Sequence, residues 1–383
     1  MHTKFLFALL SVLFVLQVQG QPKGIKRYME KREQKKDSAI AQGRPFMSII
    51  AGPGYTPENG LLVGAGMIYT FKTNRKDSLI QRSSIPFMGF ISTKGNFGFN
   101  SNLRTFWLHD KLRANILAKF SVANDNYFGV GFSNIKQLEE GDSTTAFKRQ
   151  KFIIKPLIMY QPIKHLYVGG GFDFNSTKVQ ETNPVMDEDA YYNQFGPDNF
   201  NVGLTFTLNY DSRDIIVNPY KGYFFNFAAG FYGDYLGGDN DYNIYELDFR
   251  TYQQIHRPGN TIALKLYGRF GSGDIPYEEL TKLGGGDGLR GYIEGHYRDR
   301  TGLYFLAEWR HMFLKNDGNM SKHGVVTWLG SGTIAYNPDS IEEWIPNFGI
   351  GYRFEVQPRM NVRIDFGIGR ESSGLYFNFT EAF

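Results

Sequence analysis

Along 199–211 the chain alternates without a break: Phe200, Val202, Leu204, Phe206, Leu208 and Tyr210 occupy one face, and Asn201, Gly203, Thr205, Thr207, Asn209 and Asp211 the other. A period of two is the signature of a strand with one apolar and one polar face. The pattern returns at 360–369, where Met360, Val362, Ile364, Phe366 and Ile368 oppose Asn361, Arg363, Asp365, Gly367 and Gly369. At 348–355, Phe348, Ile350, Tyr352 and Phe354 oppose Gly349, Gly351, Arg353 and Glu355. Charges fall on one face only, which predicts strands with lipid on one side and a wet interior on the other.

Such segments are predicted at 61–73, 84–93, 97–106, 111–122, 126–134, 148–161, 165–178 and 199–213, then at 222–235, 242–255, 260–272, 301–313, 324–336, 347–356, 359–370 and 374–383. The fold class is therefore all-β, a transmembrane antiparallel barrel of sixteen strands with both ends on the periplasmic side. Short links at 93–97, 161–165, 256–260 and 356–359 are expected there, and the long links at 135–147, 179–198 and 273–300 outside. The barrel is assigned to 61–383. A strand-like piece at 44–55, followed by a turn to residue 60, is left before it, either as a periplasmic β-segment or as a barrel strand if another segment is wrongly divided. Pro156 inside 148–161 argues for an edge or bulge. In the last strand Leu375, Phe377, Phe379 and Phe383 share the outward face, with Phe377, Phe379 and Phe383 forming a C-terminal assembly signal and Glu381 as a charged exception on that face.

Composition changes this picture little. The chain has 44 Gly, 24 Tyr and 34 Phe in 383 residues, a supply of turn formers and interface aromatics that suits a membrane barrel. Residues 1–20 read as a secretory signal peptide, with Lys4, an apolar run from Phe5 to Val18 and Gly20 at its end. That run is shorter than the roughly twenty residues a spanning helix needs. There is no cysteine for a lipid anchor or a disulfide. The formal charge of +4 is concentrated in a basic periplasmic segment at 21–43, which leaves the barrel itself slightly acidic and gives no support for nucleic-acid binding. The predicted location is the outer membrane of a Gram-negative bacterium, with its lipids as the first partner.

The segment LGGGDGLRGYIEGHYRDR spans 283–300, between the eleventh and twelfth predicted strands. Here the chain resembles the BamA/TamA superfamily, the bacterial surface-antigen barrels, whose sixth extracellular loop folds into the lumen with an Arg-Gly-aromatic tip. The matching residues are Arg290, Gly291 and Tyr292. YDSRDIIVNPYKGY at 210–223 resembles the family's strand-to-turn signature through Asp211, Arg213, Asp214, Pro219 and Gly222, and AEWR at 307–310 falls in the following strand. A buried arginine needs a carboxylate. With Leu303, Phe305, Ala307, Trp309 and Phe313 outward, Glu308 and Arg310 turn inward, so Glu308 is the expected partner of Arg290. Gly330 stands where the family's second acid is expected, which leaves either a one-sided clamp or Asp365 as substitute. Arg353 and Arg363 add lumen charge, and Gly284, Gly285, Gly286 and Gly288 permit a sharp path close to the wall.

The resemblance implies work in outer-membrane protein assembly, insertion or translocation, with unfolded client proteins or other envelope proteins as partners. The chain is expected to be a barrel-only member without polypeptide-transport-associated domains, and hence an accessory or partner-dependent subunit. The alternative is a passive pore or a structural barrel in an envelope complex, with the loop as a plug. Neither cofactor nor metal is expected: Asp187, Glu188 and Asp189, or Asp239 and Asp241, are acidic loop residues of the solvated kind. The scattered histidines and the lack of a GxSxG elbow argue against an enzyme.

Overall fold

The computed structural model describes residues 34, 38–39, 42–77, 80–135 and 145–383. The predicted signal peptide and most of the basic segment at 21–43 lie outside these. Sixteen strands close an antiparallel barrel. In chain order they are β1 (Phe46–Thr56), β2 (Gly60–Phe71), β3 (Ser83–Ser92), β4 (Phe97–Trp107), β5 (Leu112–Asn126), β6 (Ala146–Ile163), β7 (Leu166–Glu181), β8 (Asp198–Asp211), β9 (Gly222–Tyr232), β10 (Tyr242–Gln254) and β11 (Asn260–Gly273). A small hairpin, β12 (Thr281–Leu283) with β13 (Tyr297–Asp299), stands apart from the wall, which resumes with β14 (Thr301–Leu314), β15 (Met320–Ala335), β16 (Ile345–Gln357), β17 (Met360–Gly369) and β18 (Ser372–Phe379).

The count of sixteen holds, but two members differ from the expectation. Phe46–Thr56 is a wall strand, paired with β2 from Phe46↔Thr70 to Thr56↔Gly60, so the barrel begins at 46 and not at 61. Residues 126–134 are not a strand. β5 runs on through Asn126, and the alternating YFGVGF that follows folds inward, with Gly129 and Gly131 at φ 106° and 78° and Tyr127 and Phe128 almost fully buried. An apolar alternation created by loop packing looks, in sequence, like one created by lipid. The correction also changes sidedness. With 126–134 removed, strand direction places the 93–96 turn at the same end as the long loops, where Asn96 accepts a hydrogen bond from the Asn124 N–H at 2.7 Å and donates to Asn59 Oδ1 at 3.0 Å.

Pro156 sits in a central strand without a bulge. It is placed opposite Ile116 of β5, and the ladder to β7 passes from Ile154↔Phe174 to Leu157↔Gly171, leaving unpaired the position where proline has no N–H to give. Gly171 is required beside it, because a Cβ there would overlap the Pro156 carbonyl.

The wall separates two environments. Phe305, Trp309, Phe348, Ile350 and Phe366 are exposed on the outside, while Leu306, Glu308, Arg353, Arg363 and Asp365 are buried inside. The inner core lies against β14–β18, where Leu283, Leu289, Tyr292, Leu306, Trp328 and Ile345 pack together. A second cluster, around Tyr127, Phe147, Tyr192 and Tyr277, caps the long-loop end.

β18 departs from the expectation at its end. Thr380 takes φ 64°, and Glu381, Ala382 and Phe383 turn into the lumen, all below a tenth exposed. Neither Glu381 nor Phe383 therefore shares the outward face assigned to them; Glu381 gains Arg353 at 2.8 Å inside, an interaction unavailable in lipid.

If β1 is a lipid-facing wall strand, the outward Ile49, 63% exposed, should not tolerate charge. Ile49→Arg is expected to destabilise the folded barrel by about 2–4 kcal/mol, measured by denaturant unfolding in vesicles. A change near zero would return the segment to the periplasm.

Candidate functional site: a loop clamped inside the barrel

The link at 274–300 leaves β11 through a short 3-10 turn, Tyr277–Glu279, and rises into the β12–β13 hairpin. Arg269 of the wall holds its base by donating to the Glu279 carbonyl at 2.6 Å. Between the hairpin strands the chain makes a tight knot: the Gly285 N–H reaches the Tyr292 carbonyl at 3.0 Å and the Tyr292 N–H the Leu289 carbonyl at 3.2 Å. Gly284 and Gly291 both take positive φ, 106° and 113°. At Gly291 the reason is also one of space, since a Cβ would lie 2.8 Å from the Gly367 carbonyl carbon of β17.

This knot presents Arg290 to the wall. Its guanidinium bonds Glu308 of β14 and, at 2.8 Å, Asp365 of β17, and lies 3.6 Å above the Trp328 ring of β15. All three partners of the cation are on different strands, so the loop ties them together. Asp365 thus supplies the second acid, and the clamp is two-sided. Both carboxylates are shared onward: Glu308 accepts from Arg310 Nε at 2.9 Å, and Asp365 from Arg353 Nη1 at 2.5 Å and Arg363 Nη1 at 3.3 Å. Arg363 also donates to the Gly286 carbonyl at 2.9 Å and pairs with Asp287. The alternation of cation and anion lets each buried charge face an opposite one, which is what makes burial tolerable.

The same lattice holds the inward tail. Arg353 Nε meets Glu381 at 2.8 Å, Asn361 donates to Glu381 at 2.7 Å, and Arg310 donates to the Phe383 carbonyl at 2.8 Å. Burial raises the Glu381 pKa, but Arg353 and Arg310 outweigh it and hold the carboxyl below the ordinary glutamate range.

Sequence reasoning placed Arg290, Glu308, Arg310, Arg353, Arg363 and Asp365 on the inside, and the structure brings all six into one cluster. It missed the polar groups that receive the loop backbone. Tyr376 of β18 accepts from the Gly291 N–H at 3.0 Å, Asn347 donates to the Arg290 carbonyl, and the Tyr292 hydroxyl donates to the Pro346 carbonyl at 2.6 Å. Tyr376 and Asn347 are inward positions of alternating strands, a signal that was available. His296 carried no such signal: it stacks on Phe128 at 4.1 Å, and burial pushes its pKa down to about 4.

The strand-to-turn motif forms a separate clamp at the short-turn end. Arg213 pairs with Asp211 at 2.8 Å, and Asp214 accepts from the Tyr220 N–H at 3.0 Å and pairs with Arg359 at 2.8 Å. Arg359 lies 3.3 Å over the Tyr220 ring and belongs to the β16–β17 turn, so the 212–221 segment reaches across the mouth of the barrel. Gly222 has φ 113° where a side chain would strike the Ser212 carbonyl. Pro219, within this segment, is buried.

Closure is uneven. β1 and β18 meet in register only at Tyr55↔Phe377, whereas β17 and β18 pair continuously from Val362↔Phe379 to Gly369↔Ser372. The loop touches both flanks of this seam: Tyr376 adjoins Phe377 on one side, and on the other the Glu294 N–H donates to Glu58 of the β1–β2 turn at 3.1 Å.

An Omp85 superfamily domain matches residues 89–326. The chain belongs to the Omp85 superfamily. Among solved structures this Omp85 barrel is similar to BamA from Haemophilus ducreyi lacking POTRA domains 1–3, at 14% identity and a TM-score of 0.62 over 88% of this chain and 70% of that one. It is also similar to CdiB from Acinetobacter baumannii, at 9% identity and a TM-score of 0.55 over 88% of this chain and 59% of that one. CdiB from Escherichia coli matches at 8% identity and a TM-score of 0.56, over 87% of this chain and 62% of that one. The chain thus spans less than two thirds of either CdiB, and identities this low speak for the fold. No curated protein matches the chain.

Two outcomes follow from the lattice. Arg290→Ala leaves Glu308 and Asp365 facing each other without their shared cation and should cost about 3–5 kcal/mol, read as a lowered temperature for loss of the compact band on electrophoresis. Because the Glu381 pKa is depressed on folding, its stabilising contribution is present above the unfolded glutamate value and is lost as pH falls through the folded one. Protection from hydrogen exchange at 380–383, taken relative to the intrinsic rate at each pH, should therefore fall on acidification below pH of about 4, and Glu381→Gln should be weakly protected already at neutral pH; equal protection in both proteins at pH 7 would contradict the tail contact.

Proposed function

We propose that this protein is an outer-membrane barrel of a Gram-negative bacterium that takes part in the assembly or translocation of envelope proteins, as a partner-dependent subunit, with the β1–β18 seam as its working edge. The observation that carries the reading is the seam itself, registered at Tyr55↔Phe377 alone. A strand edge with unpaired N–H and C=O groups is a template for an incoming strand. No other strand junction of the barrel is reduced to a single registered pair.

The docked loop supports the same reading, because it holds both flanks of the seam through Tyr376 and Glu58 and is itself held by Arg290. Its position and the width of the seam are then linked mechanically. No covalent step is assigned to any residue; the work is exchange of hydrogen bonds. Resemblance to BamA and CdiB barrels places the chain among folds that share this wall, and the clients and partners are the proposal's own.

A seam disulfide tests it. The chain has no cysteine, so Tyr55→Cys with Phe377→Cys introduces one pair at the registered position. The oxidised variant is expected to lose the growth or export phenotype that wild type restores to a depleted strain, and reductant should restore it. Full activity with the bond formed, or an unchanged outer-membrane proteome after depletion, would overturn the assembly role.

A further inference from the structure

The tip of the loop docks on the β14–β18 side of the lumen. Opposite it, between β5, β6, β11 and the base of the loop, lies a cavity of about 360 Å³, within the roughly 300–1,000 Å³ of small-molecule sites. Its lining is strongly one-signed: Lys119, Arg149, Lys151, Arg269 and Lys282 against Glu278 and Glu294.

The local carboxylates do not neutralise this set. Glu278, 2% exposed, is shared by Lys282 at 3.0 Å, Arg149 at 3.5 Å and Lys151 at 4.0 Å. Arg149 and Lys151 take a further acid each, Asp125 at 2.9 Å and Glu279 at 2.7 Å. Lys119 takes none. It lies on the inner face of β5, in register with Asn100 and Ile153, exposed to the lumen and without a hydrogen bond or ion pair among the described residues. Four residues along from Asn100, on the same face of β4, the exposed Arg104 is likewise unpaired among the described residues. Like charges gathered in a cleft repel one another and focus a positive potential into it. An anion entering the cleft relieves that repulsion, and several N–H donors set around one cleft suit the multiple oxygens of a tetrahedral oxyanion better than a monovalent halide.

We propose that this lumen cavity is a binding site for a small multivalent oxyanion of the phosphate class, with Lys119 as the cation committed to the ligand and Arg149, Lys151, Arg269 and Lys282 supplying the surrounding field. The site lies between β5, β6 and β11 and the base of the loop. Phosphate can arrive free or as a lipid headgroup, and both present the same chemistry to Lys119.

The test is calorimetric titration of the full chain in a non-ionic detergent at low salt, with inorganic pyrophosphate and with a short-chain phosphatidic acid below its micellar concentration. Saturable pyrophosphate binding is expected, weakened about tenfold or more in Lys119→Gln and retained within about threefold in Lys119→Arg. Pyrophosphate binding that the phosphatidic acid does not compete with identifies the free anion; binding of the phosphatidic acid alone, with the same dependence on Lys119, identifies the headgroup. Because Lys119 has no hydrogen-bonded or directly paired partner to lose among the described residues, both variants should keep the wild-type unfolding temperature. No saturable binding of either probe up to about 10 mM, or equal affinities in wild type and Lys119→Gln, would overturn the site.

Discussion

One guanidinium inside a closed wall organises this molecule. Arg290 is fully buried, and a buried cation without partners is not tolerated in an interior of low dielectric constant. It is satisfied by Glu308, Asp365 and the face of Trp328, which come from three different strands. Those acids need Arg310, Arg353 and Arg363 to complete their own neutralisation, and these in turn hold Glu381, the Phe383 carbonyl and the loop carbonyl of Gly286. Loop, wall and tail are thereby parts of one charge lattice, and none of them can move far without uncovering a charge in the others.

That coupling gives the seam its context. A barrel with all edges paired has no reason to open at one place more than another. Here β18 ends at Phe379 and the following residues turn inward, so the part of β1 below Tyr55 runs past the end of its neighbour. The tail that would have continued the pairing is held by Arg353 and Arg310 instead. The weak junction is thus a consequence of where the buried arginines find their oxygens, and the proposed working edge and the loop clamp are two aspects of the same electrostatic arrangement.

The lumen is accordingly divided. On the β14–β18 side, apolar packing around Leu289, Tyr292 and Trp328 surrounds the ion lattice and excludes water. On the β4–β6 side, Lys119 and Arg104 face the interior without a hydrogen-bonded acid among the described residues, in a cleft whose cations outnumber its carboxylates. The two halves suit different work, one mechanical and one attractive to anions.

What the sequence determined by itself was whatever depends on a period of two. Alternation at 199–211, 301–313 and 360–369 assigned faces correctly because lipid outside and polar groups inside act on each residue separately, and it put Glu308, Arg353 and Asp365 inside before any partner was known. Local order also sufficed for Gly284 and Gly285, whose positive φ angles turn the loop sharply. Only the tertiary structure decided what depends on distant neighbours: that 46–56 closes the wall, that 126–134 is apolar because it packs under loops, that Pro156 finds a gap in the ladder, and that Glu381 and Phe383 turn inward. Each of these was hidden for one physical reason, that an apolar or charged side chain is read in sequence by its own chemistry but placed in space by the surface that receives it.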